Sequence, residues 1–127
     1  MNNLPIFEPC QQLQRQLLNS QKKGLTRTQL QQSINYIHTH IDRDLSLIEL
    51  ASVINISPTY FASLFKQTTG ISPHQYVIQQ RVERAKSMLS KTDLTIADIA
   101  FQTGFSSQSH LNQQFKRITG MTPKEVR

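Results

Sequence analysis

Apolar positions recur at helical spacing along most of this chain. Leu30, Ile34, Ile37 and Ile41 follow i, i+4, i+7 and i+11, which makes one stripe of an amphipathic helix. Leu47, Leu50 and Ile54 form a short second stripe, and Phe61, Leu64 and Phe65 a third. A longer one runs through Tyr76, Val82, Ala85 and Leu89. The cycle then resumes with Ile96, Ile99 and Phe101, followed by Leu111, Phe115 and Ile118. From Thr28 onward no stretch alternates with the period of two that marks a half-buried strand. The pattern predicts an all-α fold of about seven helices.

The pattern also repeats. LSLIELASVINISPTYFASLFKQTTGISPHQYV, from Leu45, aligns with LTIADIAFQTGFSSQSHLNQQFKRITGMTPKEV, from Leu94. The offset is 49 residues through Ala51/Ala100, Asn55/Gly104 and Ser57/Ser106, and 50 for Phe65/Phe115, Gly70/Gly120 and Pro73/Pro123. One extra residue therefore enters near the start of the longer helix of the second copy. Two copies are too few for a solenoid and point to two similar lobes.

Each copy carries the same punctuation. Ser46-Leu-Ile-Glu49 reads as a capping box and Thr95-Ile-Ala-Asp98 as a weaker variant, because Asp is shorter than Glu. Ser57-Pro58 and Ser106-Ser107 open the longer helices, which stop at Gly70 and Gly120. Ser72-Pro73-His74-Gln75 starts a bridging helix to about Leu89, and Thr122-Pro123-Lys124-Glu125 starts one that barely begins before the last residue. Between the short and long helices, Asn55 and Gly104 stand four residues after Ala51 and Ala100. Both residue types tolerate a left-handed backbone, and the small Ala lets two helices meet steeply. Each repeat thus reads as a helix-turn-helix. Leu47, Leu50 and Ile54 should meet Ile56, Phe61, Leu64 and Phe65, while Ile96, Ile99 and Phe101 should meet Phe105, Leu111, Phe115 and Ile118. The resulting division is an arm or linker over 1–27, a lobe over 28–72, the bridging helix over 73–90 and a second lobe over 91–127.

An ordinary helical hairpin, or a helical protein-binding module, would share this periodicity. The outer faces of the longer helices separate the readings. Core demand leaves Thr59, Tyr60, Ala62, Ser63 and Lys66 outward on the first, and Gln108, Ser109, Asn112, Gln113 and Lys116 on the second, with His110 at the margin. Asn and Gln can bond adenine bidentately, and Ser can donate or accept. Neither helix holds an acidic residue, whereas solvated helix surfaces usually mix Glu with Lys. Double-stranded DNA is the expected partner.

Composition agrees with less force. The 127 residues hold 14 Lys and Arg against 8 Asp and Glu, a formal +6, which favours an anionic partner. Half of that excess lies in residues 1–27, where Arg15, Lys22, Lys23 and Arg27 face only Glu8. The single Cys10 excludes an intramolecular disulfide or a cysteine zinc cluster and fits a reducing, cytoplasmic setting. No run approaches the roughly 18 apolar residues of a membrane helix, and the start lacks a signal-peptide layout. His38 and His40 are two apart and cannot share one helix face with an evident third ligand. His74 reads as a surface residue of a first turn, and Glu49, Asp98 and Glu125 are taken as caps. No catalytic pair, metal site or cofactor is therefore expected, and the chain does not read as an enzyme.

Gly70-Ile-Ser-Pro73-His-Gln-Tyr76-Val, Arg81-Val-Glu-Arg-Ala85, Ile99-Ala-x-x-x-Gly104-Phe105-x-x-Gln108-Ser109-His110 and Phe115-Lys116 together resemble the AraC/XylS family of transcriptional regulators, over residues 28–127. The resemblance implies a DNA-binding unit of two helix-turn-helix lobes, each placing its longer helix in the major groove on one face of the duplex. Carried over by position, the readers match Thr59, Ala62 and Ser63, then Gln108, Ser109, His110, Asn112 and Gln113. It also implies RNA polymerase as a second partner, with activation the expected mode.

Two departures matter. Relatives often place Arg where this chain has Ser63 and Gln113; with Ala62 and Ser63 the first lobe has little reach, and the second should specify more. Most members also carry a sizeable effector-binding or dimerising domain first, whereas 27 residues precede the lobes here. Their Gln-rich composition reads as a linker, with Leu13, Leu17 and Leu18 spaced for a short helix. The expectation is a C-terminal piece of a longer sensor rather than a self-contained regulator. Finally, the 17 residues from Pro73 to Leu89 would span about 25 Å, less than the roughly 34 Å between successive major grooves, so bound DNA should bend.

Overall fold

Each helix opens on a hydroxyl side chain. The computed structural model describes residues 24–127, so Cys10 and the helical spacing at Leu13, Leu17 and Leu18 lie outside the described residues. Those described form seven helices and no strand: α1 (Arg27–Thr39), α2 (Leu47–Val53), α3 (Pro58–Thr69), α4 (Pro73–Lys91), α5 (Ile96–Gln102), α6 (Gln108–Thr119) and α7 (Pro123–Val126). Thr26, Ser46, Ser57, Ser72, Thr95, Ser107 and Thr122 are extended N-caps. Such a cap satisfies one orphan N–H and contributes about 1 kcal/mol.

Reciprocal capping boxes form at Thr26/Gln29, Ser72/Gln75 and Thr122/Glu125. Ser46/Glu49, expected to be one, is not. Ser46 accepts from the Glu49 N–H at 3.0 Å, but the Glu49 carboxylate takes the Tyr36 hydroxyl and the Arg43 guanidinium instead. A cation within reach wins over a neutral backbone N–H, because charge-assisted bonds are about twice as strong. Arg43 and Tyr36 hold the Glu49 carboxyl down from the ordinary 4.5 to about 2. The folded value is the lower one, so this contribution is complete above pH 4.5 and disappears as pH falls through 2. Wild type should exceed Glu49→Gln in urea-melt stability at pH 7, with the gap closing between pH 4.5 and 2. A gap independent of pH would show that the carboxylate charge plays no part.

The two turns match closely. Asn55 has φ 59° and Gly104 φ 86°. The N–H of Ile56 donates to Ala51 O at 3.2 Å, and that of Phe105 donates to Ala100 O at 3.0 Å. Helices α2 and α3 consequently meet at 78°. The N-caps Ser57 and Ser107 are 50 residues apart while the turn residues are 49 apart, so the extra residue is Ser106, in the turn ahead of α6. Among the described residues no single helix is long and apolar enough to cross a membrane.

The lobes have separate cores. The first gathers Leu25, Ile37, Ile41, Leu50, Ala51, Ile54, Phe61, Leu64, Phe65 and Val77. The second gathers Ile78, Val82, Ala85, Leu89, Ile99, Ala100, Phe105, Leu111 and Phe115. Helix α4 thus gives Val77 to the first and Ile78, Val82, Ala85 and Leu89 to the second. Tyr76, expected inside, is half-buried against the first.

Two boundaries move. Leu25 is in the core with its N–H on Thr68 Oγ1 at 2.9 Å, so residues 25–27 belong with the first lobe rather than the arm. Helix α4 continues to Lys91, two residues past Leu89 and one past the 73–90 segment. Two core expectations also fail, for Leu47 is 38% exposed and Phe101 81% exposed. Seven-residue helices bury little, and on α5 Ile99 and Ala100 take the inner face. Phe101, a further 100° round the helix, then points to solvent.

Candidate nucleic-acid interface

Helices α3 and α6 each bury one side and present the other. Phe61, Leu64 and Phe65 face inward on α3, and Leu111 and Phe115 on α6. Counting from the N-caps aligns Thr59 with Ser109, Tyr60 with His110, Ala62 with Asn112, Ser63 with Gln113 and Lys66 with Lys116. Thr59, Tyr60, Ser63, Lys66, Gln108, Ser109, Gln113 and Lys116 are exposed, while Ala62, His110 and Asn112 are half-buried. The sequence-derived sets are therefore brought onto two equivalent surfaces. The Ala62 methyl also lines a cleft of about 540 Å³ between α2, α3 and the start of α4, with Leu47 at the same cleft.

Most of these side chains are chemically free. Among the described residues, those of Thr59, Ser63, Lys66, Gln108, Ser109, Asn112, Gln113 and Lys116 make no hydrogen bond or ion pair. Their neighbours behave differently. Gln114 accepts from Arg117 Nε at 2.9 Å, and Ser106 Oγ lies 3.2 Å from His110 Nδ1. The His110 ring stands edge-on to Phe105 with centroids 5.2 Å apart, so it is held at the border of the face. The outer surfaces therefore offer amides, hydroxyls and ammonium groups with no acid among them. The ion pairs among the described residues, Arg43–Glu49 and Lys86–Glu83, lie on other elements.

Two of the other three histidines lie beside tyrosines. His38 Nε2 is 3.3 Å from the Tyr76 hydroxyl, and the His40 ring lies 4.4 Å from that of Tyr36. Among the described residues no three His, Cys, Asp or Glu side chains could share a metal ion.

Arg81 was not anticipated as a structural residue. It is 7% exposed, donating Nε to Ile41 O at 3.1 Å and Nη2 to Arg43 O at 2.7 Å. Burial pushes its pKa down, with the nearby Asp44 acting in the opposite sense. The available signal was its place on an apolar stripe, since 78, 81, 82, 85 and 89 follow helical spacing.

A family model described as a helix-turn-helix domain matches residues 50–127. The probable transcriptional regulator LumQ of Photobacterium leiognathi is 36% identical over 111 residues, 87% of this chain and 45% of LumQ. An uncharacterised helix-turn-helix-type transcriptional regulator of Staphylococcus aureus is 37% identical over 109 residues, 86% of this chain and 15% of that protein. The chain thus spans less than half the length of these curated relatives. Among solved structures, an AraC-type DNA-binding transcriptional regulator from Chromobacterium violaceum superimposes with TM-score 0.75 at 29% identity, covering 80% of this chain and 90% of its own. The DNA-binding domain of the global transcriptional factor AdpA, solved with a target DNA, gives TM-score 0.72 at 28% identity, covering 76% and 86%.

Proposed function

Since the chain belongs to the AraC/XylS family of helix-turn-helix transcriptional regulators, as its C-terminal DNA-binding domain, we propose that α3 and α6 enter two successive major grooves on one face of a duplex. The observation that carries this reading is the pair of equivalent outer faces, free of acid and furnished with unpaired polar groups. Gln108, Ser109, Asn112 and Gln113, with His110 at their border, read base edges in the second lobe. Thr59, Ala62 and Ser63 make shorter-range contacts in the first, to thymine methyls and groove shape. Tyr60, Lys66 and Lys116 serve phosphates, which position the protein without specifying sequence.

The 19 residues of α4 span about 28 Å, short of the roughly 34 Å between successive grooves, so the second lobe engages fully when the duplex curves toward the protein. Curvature of tens of degrees costs on the order of 1–6 kcal/mol, offset by the second lobe's contacts. Duplexes selected from random sequence should show a circular-permutation mobility shift, and affinity should fall log-linearly with salt. Straight DNA would argue against engagement of both lobes. Salt-independent association would favour a protein-binding module. In the cell the reading places this domain in the cytoplasm, C-terminal to an effector-binding or dimerising domain, with RNA polymerase as second partner and activation as its mode.

A further inference from the structure

Two recognition helices can read two grooves together only if their lobes are held at a fixed separation, and buried polar contacts cross the joint between these lobes. The first core ends at Val77 and the second starts at Ile78. Helix α4 itself crosses the joint, with Tyr76 and Val77 packed in the first lobe and Ile78 to Leu89 in the second, so the contacts made beside it decide how the first lobe is seated against the second. Arg81 reaches back across it to the carbonyls of Ile41 and Arg43, just after α1. Gly104, in the second lobe's turn, stands against the same group. A Cβ there would lie 2.3 Å from Ile41 O, 2.8 Å from Arg81 Nε and 3.0 Å from Arg81 Cζ. Three segments distant in sequence converge on one carbonyl.

The repeat supplies an internal control. Asn55 occupies the equivalent turn position, with φ 59° and the same turn hydrogen bond, and it is exposed. This turn therefore accepts a side chain as far as backbone conformation is concerned. What sets Gly104 apart is the close approach. We propose that Gly104 and Arg81 form an inter-lobe latch that fixes the separation of α3 and α6. The latch thereby sets the spacing between the two half-elements of the DNA site, a role that rests on the two-groove reading. Both are positioning residues that touch no base.

Gly104→Asn keeps a residue suited to the turn, as Asn55 shows, but drives a side chain into the joint. Arg81→Lys keeps the charge and loses the fork that spans two carbonyls. Asn55→Gly is the reciprocal control. Binding of each protein would be measured on the selected duplex and on versions with one base pair added or removed between half-elements, at one salt concentration. Wild type and Asn55→Gly should lose about tenfold on either spacing change, comparable to a mismatched pair. Gly104→Asn and Arg81→Lys should bind the selected site more weakly and lose less than about threefold. A flat wild-type profile, or wild-type ratios in both variants, would overturn the latch. If Gly104→Asn does not fold, Arg81→Lys decides.

A second readout works without DNA. Spin labels at Gln67→Cys and Arg117→Cys, in a Cys10→Ser background, should give one narrow distance that broadens or moves in Arg81→Lys. An unchanged distribution would overturn the latch by itself. A latch-dependent distance in a protein that binds no duplex would instead overturn the DNA reading alone.

Discussion

Phe115→Ala should cost about 3–5 kcal/mol of stability, while Phe101→Ala, fourteen positions earlier on the neighbouring helix, should stay within about 0.5 kcal/mol of wild type. Phe115 is fully buried with Ile99, Leu111 and Val82 in one cluster, and its removal leaves a cavity between α4, α5 and α6. Phe101 is 81% exposed. Domains of this size have about 5–15 kcal/mol in total, and the second core is separate from the first, so the buried substitution removes a large share of one lobe's stability. Urea unfolding followed by far-UV circular dichroism measures both. Phe115→Ala should lower the midpoint, and a reduced m-value as well would show the second lobe already open in water. Equal losses from the two variants would contradict the packing of α5.

The largest effects on binding should come from α6. Gln108→Ala and Asn112→Ala should each cost about 1–3 kcal/mol on the best site, roughly 5- to 150-fold, if each makes a bidentate base contact. Preference should relax at the contacted base pair and the salt slope should hold, which distinguishes a reader from a phosphate contact. Neither side chain has a hydrogen-bond partner among the described residues, so folding stability should change little. Ser63→Ala and Ala62→Gly in α3 should cost less. A first-lobe loss equal to or above that from Gln108 or Asn112 would reverse the ranking of the lobes.

Much of this arrangement was legible because it is built from local signals written twice. Hydroxyl caps, Pro at first helical positions, Gly70 and Gly120 at helix ends, and the Asn55/Gly104 turn each act within a few residues. Their repetition turned weak patterns into a fold. The outward faces of α3 and α6 followed from placing Phe61, Phe65, Leu111 and Phe115 inside.

What escaped depends on contacts between distant segments. Glu49 looked like a cap until Tyr36 and Arg43 came within reach of it. Phe101 and Leu47 are apolar, and their spacing does not reveal that such short helices bury little beyond Leu50 and Ala51, or Ile99 and Ala100. Leu25 joins the core because Thr68, forty-three residues on, accepts its N–H. The Arg81 partners are backbone carbonyls forty and thirty-eight residues away, which no side-chain pattern marks.

Hydroxyl-radical footprinting on a duplex selected from random sequence tests the two-lobe reading of DNA most directly. Two protected patches on one face of the helix, centred about 10–10.5 base pairs apart, are expected, with the patch under α6 weakened in Gln108→Ala. A single patch that survives Gln108→Ala, or patches on opposite faces of the duplex, would contradict it.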